Sequence, residues 1–441
     1  MAKHDLAVII LAAGQGKRMK SPLPKVLHAL AGKPMINWLI DSAAALKPSK
    51  IVVVTSPDAK ALQVAVKPHV TAVQPKANGT AGAVMAGLSA LKGFKGDILV
   101  LVGDAPLIST QTMKDLIAAK KNAGLSVLAA DVEDPFGYGR LITKNGILQK
   151  IVEEKDASTA EKECTLINTG VFCFDGAKLS SWLKKVKPNN AQKELYLTDL
   201  PAIAAKEGIK TNVCHVFDEM EVQGCNSKLD LAVLENTVQN QLRATHLVAG
   251  VTMIDPNTVY FHHDTKIGDN VAIEPNVFFG PGVTVGDNVT IKAFSHMEGA
   301  KISNGVSIGP FARLRPGSEI GEDVRIGNFV EVKKSKIGAG SKINHLAYVG
   351  DTVMGKDVNF SAGAITVNYD GFDKHETKIQ DGAMVGSNVN LVAPVTVGKG
   401  AFIAAGSTIT DNVPSDALAI EREPATVKKG WAADYRKKKK H

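Results

Sequence analysis

Residues 302–334 read ISNGVSIGPFARLRPGSEIGEDVRIGNFVEVKK, and an aliphatic residue recurs in this stretch at every sixth position. These residues are Ile302, Ile308, Leu314, Ile320, Ile326 and Val332. Gly often follows the aliphatic residue, and a small or β-branched residue often stands four places after it, as at Gly321 and Val324. No helix and no ordinary hairpin sheet has this period, whereas hexapeptide repeats form a parallel β-helix, each repeat giving one short strand and one turn. The stretch therefore predicts a β-helix with the aliphatic side chains stacked inside.

The same period extends from Ile267 to Ile409, over about 145 positions, with single-residue slips. Outside residues 302–334 the apolar positions of the repeat are Ile267, Ile273, Phe279, Val285, Ile291, Ile337, Ile343, Val349, Met354, Phe360, Ile379, Val385, Leu391, Val397, Ile403 and Ile409. A β-helix alone is equally compatible with a rigid spacer or a trimerisation rod. Its function must therefore be inferred from residues that face outward.

The N-terminal half has a different pattern, in which short apolar runs alternate with amphipathic segments. The apolar runs are Leu6–Leu11, Ile51–Thr55, Ile98–Val102 and Ser126–Ala130, and two of the amphipathic segments are Pro34–Ala45 and Thr112–Asn122. Uninterrupted apolar strands between helices are typical of a sheet that is covered on both faces, so this half is predicted to be α/β with a mainly parallel sheet.

The two halves are joined by a segment with helical spacing of apolar residues and no internal Gly or Pro, Ser227–His246. We therefore predict a first domain at residues 1–226, a linker helix at 227–248, and a β-helix domain with a basic tail at 249–441.

The chain has a net charge of +8, of which +6 lies in Ala425–His441, a tail with seven basic residues and one acidic residue. The rest of the chain carries only +2, so nucleic-acid binding is not expected.

The four cysteines form no CxxC pair, which disfavours a disulfide scaffold or a zinc ribbon. No apolar stretch approaches the ~20 residues of a membrane span, and we expect a cytoplasmic protein.

The stretch Leu11–Met19, LAAGQGKRM, follows the first predicted strand and is neither a GxGxxG fingerprint nor a P-loop. Its two glycines would let backbone N–H groups approach a phosphate, and Arg18 and Lys25 would supply positive charge. Asp104 ends another apolar run, and Mg²⁺ prefers such a carboxylate together with substrate phosphates. The pattern indicates a magnesium and phosphate site, although a plain turn is the alternative for the Gly-rich stretch alone.

The β-helix carries a second group of candidate residues. Arg315 and Lys333 are eighteen residues apart, so they would stack on adjacent coils if three repeats make one coil, and an anion between them would relieve their repulsion. His345 has Glu331, Tyr348 and Asn359 as polar companions, and an imidazole can accept a proton near neutrality. The alternatives are two solvated cations and a hydrogen-bonded structural histidine.

Several long motifs carry a family resemblance. They are LAAGQGKRMKSPLPKVLHALAGKPM from residue 11, QPKANGTAGAV from 74, VGDAPLI from 102, DPFGYGR from 134, IVEEKDA from 151 and INTG from 167. Together with the hexapeptide half, the chain over residues 5–431 resembles the bacterial bifunctional N-acetylglucosamine-1-phosphate uridylyltransferases and glucosamine-1-phosphate acetyltransferases. The resemblance implies an α/β fold, with a Rossmann-like nucleotidyltransferase domain followed by a left-handed parallel β-helix of hexapeptide repeats.

The resemblance also implies the activity and the partners. Acetyl-CoA would acetylate glucosamine 1-phosphate, and UTP would then react with N-acetylglucosamine 1-phosphate, with Mg²⁺ as cofactor, to give UDP-N-acetylglucosamine and pyrophosphate. A homotrimer is expected, because enzymes of this class commonly place the acetyl-transfer site between subunits. Two alternatives stay open: a uridylyltransferase whose β-helix has lost acetyl transfer, and a trimeric scaffold or regulatory subunit that keeps the fold.

The site residues follow from the resemblance position by position. In the uridylyl site, the nucleotide would be lined by Leu11, Ala12, Ala13 and Gly14, and uracil would be contacted by Gln74, Gly79 and Thr80. The sugar and its diphosphate link would be held by Gly139, Glu153 and Asn168. Phosphate charge would be neutralised by Arg18 and Lys25, and Mg²⁺ would be bound by Asp104 and Asn226. In the acetyl site, His345 would be the base, Arg315, Lys333, Tyr348 and Asn359 would hold the acceptor, and Ala362, Asn368, Tyr369, Ser387, Ala405 and Arg422 would bind acetyl-CoA.

Three positions depart from the family pattern. Lys17 replaces the usual Thr, Ala81-Gly82-Ala83 replaces Gly-His-Ala, and Phe360–Ala364 replaces Ile-Gly-Ala-Gly-Thr. None of these changes removes a proposed charge or metal ligand; they bear on the local fit to uracil and to the pantetheine arm.

Overall fold

The computed structural model describes residues 5–14, 16–121, 123–144 and 147–439. The chain divides into two compact units, Met1–Val238 and Gln239–His441. The division falls within the segment 227–248, which the sequence pattern predicts to be a linker helix.

The first unit is built on a mixed sheet with helices between its strands. The strands are β1 (Leu6–Leu11), β2 (Ala29–Leu30), β3 (Lys33–Pro34), β4 (Lys50–Thr55), β5 (Val70–Val73), β6 (Asp97–Val102), β7 (Leu125–Asp131), β8 (Gly139–Lys144), β9 (Ile147–Val152), β10 (Leu166–Asp175) and β11 (Thr211–His215). The helices are α1 (Met35–Ala44), α2 (Lys60–Ala65), α3 (Thr80–Ser89), α4 (Thr110–Ala119), α5 (Thr159–Lys162), α6 (Gly176–Leu183) and α7 (Leu200–Lys206). The next helix, α8 (Lys228–Val248), begins in the first unit and ends in the second. The main sheet has the order β11-β7-β10-β6-β1-β4-β5, β8 pairs with β10 and β9, and β2 and β3 pair with each other.

Strand β1 lies at the centre of this sheet, with β4 and β6 parallel to it on either side. Its residues from Ala7 to Ile10 are completely buried, as expected for a strand covered on both faces. Leu11 pairs with Val102, and the Gly103 N–H donates to the Leu11 carbonyl over 2.9 Å. The turns that follow β1 and β6 therefore leave the sheet side by side at one edge, where α/β sheets bind ligands.

Strand β10 is the feature that the apolar pattern did not predict. It runs antiparallel to β6, β7 and β8, which makes the sheet mixed rather than mainly parallel. A buried apolar run has the same composition in either direction, so its orientation cannot be read from hydrophobicity alone.

The second unit is a parallel β-helix whose strands form three sheets. The first face consists of Thr252–Met253, Ala272–Ile273, Thr290–Ile291, Ser307–Ile308, Arg325–Asn328, Lys342–His345, Asn359–Phe360, Met384–Val385, Phe402–Ile403 and Leu418–Ala419. The second face consists of Phe278–Phe279, His296–Met297, Arg313–Leu314, Glu331–Lys333, Tyr348–Gly350, Ile365–Val367, Asn390–Val392 and Thr408–Ile409. The third face consists of Lys266–Ile267, Thr284–Val285, Ala300–Ile302, Ser318–Ile320, Lys336–Ile337, Thr352–Met354, Thr377–Ile379 and Val395–Val397.

The chain visits the three faces in turn, so three hexapeptides make one coil. Equivalent apolar residues then stack from coil to coil, as in the first-face pairs of Ile326 with Ile343 and Ile343 with Phe360. These three side chains are at most 1% exposed. Burial of one such side chain contributes about 1.5–3 kcal/mol, and the repeated stack forms one continuous core. The predicted α/β domain and hexapeptide β-helix are confirmed.

After the β-helix the chain ends in an exposed helix, α9 (Trp431–Lys439), with four basic residues in its last turn. Among the helices of the described residues, none combines the length and the hydropathy that a membrane crossing requires.

Candidate active sites

In the first unit a cavity of about 290 Å³ opens at the edge where β1 and β6 end. Many of the residues proposed for the uridylyl site line it: Leu11, Ala12, Ala13, Gly14, Lys25, Gln74, Gly79, Thr80 and Asp104. The Ala12 N–H donates to the Val54 carbonyl over 2.9 Å, which fixes the start of the Gly-rich turn against the neighbouring strand.

Lys25, Asp104 and Asn226 meet at this edge. The Lys25 ammonium nitrogen lies 2.5 Å from Asp104 Oδ2 and 3.1 Å from Asn226 Oδ1. The Cys225 N–H donates to the Asp104 carbonyl over 2.8 Å, and Asp230 accepts hydrogen bonds from the N–H groups of Asn226 and Ser227. These backbone contacts hold the segment before α8 beside the end of β6.

Gln74 and Gly79 form the opposite wall of the cavity. The Gln74 side-chain amide is nearly buried and donates to Asn78 Oδ1 over 3.0 Å and to the Gly79 carbonyl over 3.2 Å. Gly79 has a φ of +104°, and a Cβ there would lie 2.5 Å from the Leu195 carbonyl oxygen, so only glycine fits. Thr80 begins α3 and its hydroxyl accepts a hydrogen bond from the Leu197 N–H over 3.0 Å.

Gly139, Glu153 and Asn168 form a separate cluster. Asn168 of β10 pairs with Gly139 of β8, and a Cβ on Gly139 would lie 3.4 Å from Glu153 Oε2. Burial raises the pKa of the Glu153 carboxyl, and a hydrogen bond of 2.9 Å from the Thr198 hydroxyl opposes the shift. A partly buried acceptor of this kind is suited to bind hydroxyl groups of a sugar.

Several proposed residues are not among those that line the described cavity. They are Arg18, Gly139, Glu153, Asn168 and Asn226. Arg18 is exposed, Asn226 reaches the cavity through its contact with Lys25, and the side chain of Lys17 lies outside the described part of the chain. In the structure, Ala81, Gly82 and Ala83 are buried in the first turn of α3.

The structure also adds residues that the sequence did not single out. Ala77 and Glu194 line the cavity, Glu194 from the loop before α7. Burial raises the pKa of the Tyr138 hydroxyl, and Asp104 is the first of the charges that add to this shift. Glu194 stands in no motif at the end of a strand, so only the folded chain brings it to this edge. Tyr138 belongs to the DPFGYGR motif, but the motif does not indicate that Asp104 lies near it.

In the second unit His345 heads a column of residues on successive coils. The register pairs Ile343 with Phe360, Phe360 with Val385, and Val385 with Ile403. The residues two places further along are His345, Ala362, Ser387 and Ala405.

Backbone hydrogen bonds confirm this alignment along the column. The His345 carbonyl accepts from the Gly363 N–H over 3.3 Å, the Ala362 carbonyl from the Asn388 N–H over 2.8 Å, and the Ser387 carbonyl from the Gly406 N–H over 2.8 Å. Arg422 continues the column, because its guanidinium donates to the Ala405 carbonyl over 3.1 Å. The proposed base and four proposed acetyl-CoA residues therefore follow one corner of the β-helix.

The His345 side chain is exposed, and its Nδ1 lies 2.9 Å from Asn328 Oδ1 on the preceding coil. Because an amide oxygen can only accept, Nδ1 makes this hydrogen bond in the tautomer that carries its proton on Nδ1, and in that tautomer Nε2 is the basic nitrogen. Asn328 is a further residue that the sequence did not single out, although it stands one coil before His345 in the register.

Arg315 and Lys333 lie on adjacent coils, since Leu314 pairs with Val332. The Arg315 guanidinium donates to Glu331 Oε1 over 2.8 Å, and the Lys333 ammonium lies 3.9 Å from Asp351 Oδ2. The positive charge of Lys333 also lowers the pKa of Lys374, so the Lys374 ammonium lies close to that of Lys333. Arg315 and Lys333 follow the second face, whereas His345 follows the first, and one chain therefore does not bring them to the same corner.

Of the remaining proposed residues, Tyr348, Asn368 and Tyr369 lie on the second face or directly after its strands, and Asn359 lies on the first. Tyr348 pairs with Glu331, and the Asn368 amide donates to Asp351 Oδ2 over 2.6 Å and to the Tyr348 hydroxyl over 3.5 Å. Tyr369 is exposed and its hydroxyl donates to the Gly371 carbonyl. Asn359 belongs to the first face, where its amide donates to Ser361 Oγ over 3.0 Å.

Each half of the chain matches a known protein family. Residues 8–163 match the MobA-like NTP transferase domain, and residues 264–299, 299–334 and 376–411 match the six-repeat bacterial transferase hexapeptide family. Bifunctional protein GlmU of Paramagnetospirillum magneticum is 49% identical over 440 residues, which cover 99% of this chain and 98% of that protein. The proteins of the same name from Zymomonas mobilis and from Bradyrhizobium sp. are 47% and 45% identical, and in each case 100% of this chain and 99% of the relative are covered.

Proposed function

Because the chain belongs to the family of bifunctional GlmU proteins, we propose that it makes UDP-N-acetylglucosamine from glucosamine 1-phosphate in two reactions at two sites. The β-helix catalyses acetyl transfer from acetyl-CoA, and the α/β unit catalyses uridylyl transfer from UTP. The observation that carries this proposal is that each unit has its own cluster of reactive groups, His345 in one and the Lys25, Asp104 and Asn226 group in the other.

In the acetyl transfer the amine of glucosamine 1-phosphate attacks the thioester carbonyl of acetyl-CoA. His345 Nε2 accepts the proton that the amine loses, the C–S bond breaks, and the coenzyme A thiolate leaves and takes up that proton to become the thiol. Arg315 and Lys333 bind the phosphate of the acceptor, and Tyr348 and Asn359 orient its sugar. Ala362, Ser387 and Ala405 supply a column of small side chains on which the coenzyme can lie close to the backbone, with Asn368 and Tyr369 nearby and Arg422 at its end.

In the uridylyl transfer the phosphate oxygen of N-acetylglucosamine 1-phosphate attacks the α-phosphorus of UTP, and pyrophosphate leaves. The turn from Leu11 to Gly14 positions the nucleotide, and Gln74, Gly79 and Thr80 contact uracil. Glu153 and Asn168, beside Gly139, bind the sugar. Arg18 and Lys25 neutralise negative charge on the phosphates, and positioning together with charge neutralisation supplies most of the rate increase.

Asp104 and Asn226 fit the role of metal ligands. Their side-chain oxygens both accept from one ammonium group, so two oxygen ligands of the type that Mg²⁺ prefers converge on one positive charge. We propose that these two residues hold Mg²⁺, which would neutralise phosphate charge when bound. Lys25 would then direct its ammonium to the phosphates.

We further propose that the enzyme acts in the cytoplasm as a homotrimer. The unpaired cysteines and the use of UTP and acetyl-CoA suit a reducing compartment. Within one chain, Arg315 and Lys333 follow the second face of the β-helix and His345 follows the first, so they lie at different corners. A neighbouring copy can bring its own Arg315 and Lys333 to His345 of this chain, and this supports a trimer.

The function is tested by a coupled assay from glucosamine 1-phosphate with Mg²⁺, in which acetyl-CoA or UTP is omitted in turn. We expect UDP-N-acetylglucosamine only in the complete mixture, N-acetylglucosamine 1-phosphate without UTP, and no pyrophosphate without acetyl-CoA. A chain that releases pyrophosphate only when N-acetylglucosamine 1-phosphate is supplied would be a uridylyltransferase without acetyl transfer. A chain with neither activity would be a scaffold.

A further inference from the structure

Two histidines and an aspartate follow one another at the first coil of the β-helix, in His262-His263-Asp264. Each offers one ligand atom, and these three atoms lie within 4.8 Å of one another. The residues belong neither to the proposed acetyl site nor to the proposed uridylyl site.

The carboxylate of this group is oriented by backbone. The Gly282 N–H lies 3.2 Å from Asp264 Oδ1 and 3.1 Å from Asp264 Oδ2, and donates toward both. Such hydrogen bonds from outside the ligand set hold a metal-binding carboxylate in place. His262 is anchored as well, since its N–H donates to the Phe279 carbonyl over 3.0 Å.

The His262 imidazole contacts this carboxylate, and the His263 imidazole lies beside the His262 ring. His262 Nδ1 is 2.6 Å from Asp264 Oδ1, and the ring centroids of His262 and His263 are 4.5 Å apart. Metal–ligand bonds of about 2.0–2.2 Å require two ligands of one ion to lie within about 4.4 Å of each other. The three ligand atoms, all within 4.8 Å of one another, are therefore close to the spacing that one ion requires.

The adjacent coil presents few side-chain atoms at this corner. It presents Gly280-Pro281-Gly282, in which two of the three residues have no side chain. Asp264 and His263 are exposed and His262 is partly exposed, so an ion and its water ligands can reach the group from solvent.

We propose that His262, His263 and Asp264 bind one divalent transition metal ion of the Zn²⁺ type. Two imidazole nitrogens and one carboxylate oxygen are ligands that suit Zn²⁺, whereas Mg²⁺ prefers oxygen ligands alone. Water completes the coordination. Because the ion joins three residues of the first coil and binds only when they converge, it stabilises the N-terminal end of the β-helix.

The test is a titration of the full-length protein with Zn²⁺ after removal of metal with EDTA, in buffer with excess Mg²⁺ to occupy the oxygen-rich site in the first unit. Isothermal titration calorimetry should show one tight equivalent for the unaltered protein. His263→Ala and Asp264→Asn should weaken it by about tenfold or more. His215→Ala removes an exposed histidine of β11 and is the matched control, which should bind Zn²⁺ like the unaltered protein.

A thermal melt gives a second readout. Zn²⁺ should raise the melting temperature of the β-helix in the unaltered protein and in His215→Ala, but not in His263→Ala. Uridylyl and acetyl transfer without Zn²⁺ should be the same in His263→Ala as in the unaltered protein, which shows that the variant is folded. The proposal is overturned if the unaltered protein binds no Zn²⁺, or if His263→Ala and Asp264→Asn both keep its full affinity.

Discussion

The ammonium nitrogen of Lys25 lies 2.5 Å from Oδ2 of Asp104, and the same nitrogen contacts Oδ1 of Asn226. The three side chains come from the segment just before β2, the end of β6 and the segment before α8, so the fold brings together residues that are up to 201 positions apart. A cation already occupies the point between the two oxygens. This arrangement explains how the α/β unit can hold a metal ion and phosphate oxygens at one edge of its sheet.

Asp104→Ala should abolish uridylyl transfer and leave acetyl transfer unchanged. The variant loses a proposed metal ligand and leaves the Lys25 charge without its carboxylate, and removal of one such electrostatic group typically costs about 10²–10³-fold in rate. Pyrophosphate release from UTP and N-acetylglucosamine 1-phosphate measures the effect. Asp58→Ala, at an exposed carboxylate of the same unit, is the control and should keep full activity. An equal loss of both activities in Asp104→Ala would contradict separate sites.

His345→Ala should have the opposite effect. Loss of the general base should decrease acetyl transfer about 10²–10⁴-fold, because general base catalysis contributes rate factors of that size. Release of the coenzyme A thiol measures this reaction, and pyrophosphate release should not change. If the variant kept full acetyl transfer with its oligomeric state intact, another residue would have to be the base.

Asn328→Ala tests how His345 is oriented. The variant loses the acceptor that places the proton on Nδ1, a hydrogen bond worth about 0.5–1.5 kcal/mol, so acetyl transfer should decrease about tenfold or less. The pH profile of kcat should change as well, since both tautomers of His345 become available. Asn328→Asp keeps an acceptor at this position and should restore most of the rate. A normal rate and an unchanged pH profile for Asn328→Ala would show that this contact has no part in catalysis.

The sequence predicts the fold of the β-helix in more detail than the fold of the α/β unit. The hexapeptide period predicts which side chains point inward, Ile326, Ile343 and Phe360 among them. Their stacking on one face is known only from the register, because each coil here is one residue shorter than three hexapeptides. In the α/β unit the apolar runs locate strands such as β1 and β6. They do not reveal that β10 is antiparallel, because hydrophobicity along a buried strand carries no direction.

The candidate sites show the same limit. Asp104 and the Gly-rich turn could be expected at one edge, since both follow buried parallel strands. The contributions of Glu194 and Asn328 could not, because each depends on long-range packing or on register rather than on a local motif. The sequence also did not show that Arg315 and His345 follow different faces. To predict this, each repeat must be assigned to a face, and the single-residue slips in the period obscure that assignment.

Glu153→Gln should stabilise the first unit at neutral pH. Burial raises the pKa of the Glu153 carboxyl in the folded chain, so at neutral pH the ionised form is disfavoured relative to the unfolded chain. The amide removes this cost and keeps an oxygen that accepts from Thr198. The advantage should shrink as the pH falls and should vanish below the pKa of the unfolded carboxyl, where both states are protonated. Thermal melts at pH 7.5 and pH 4 measure the difference; equal stability of both proteins at pH 7.5 would contradict the raised pKa.

The most direct test of two independent sites is to mix the Asp104→Ala and His345→Ala proteins with glucosamine 1-phosphate, acetyl-CoA, UTP and Mg²⁺. Neither protein alone should form UDP-N-acetylglucosamine. The mixture should form it, because N-acetylglucosamine 1-phosphate made by Asp104→Ala can diffuse to the intact uridylyl site of His345→Ala. A mixture that stays inactive, although each protein keeps its own half-reaction, would contradict two sites that exchange a free intermediate.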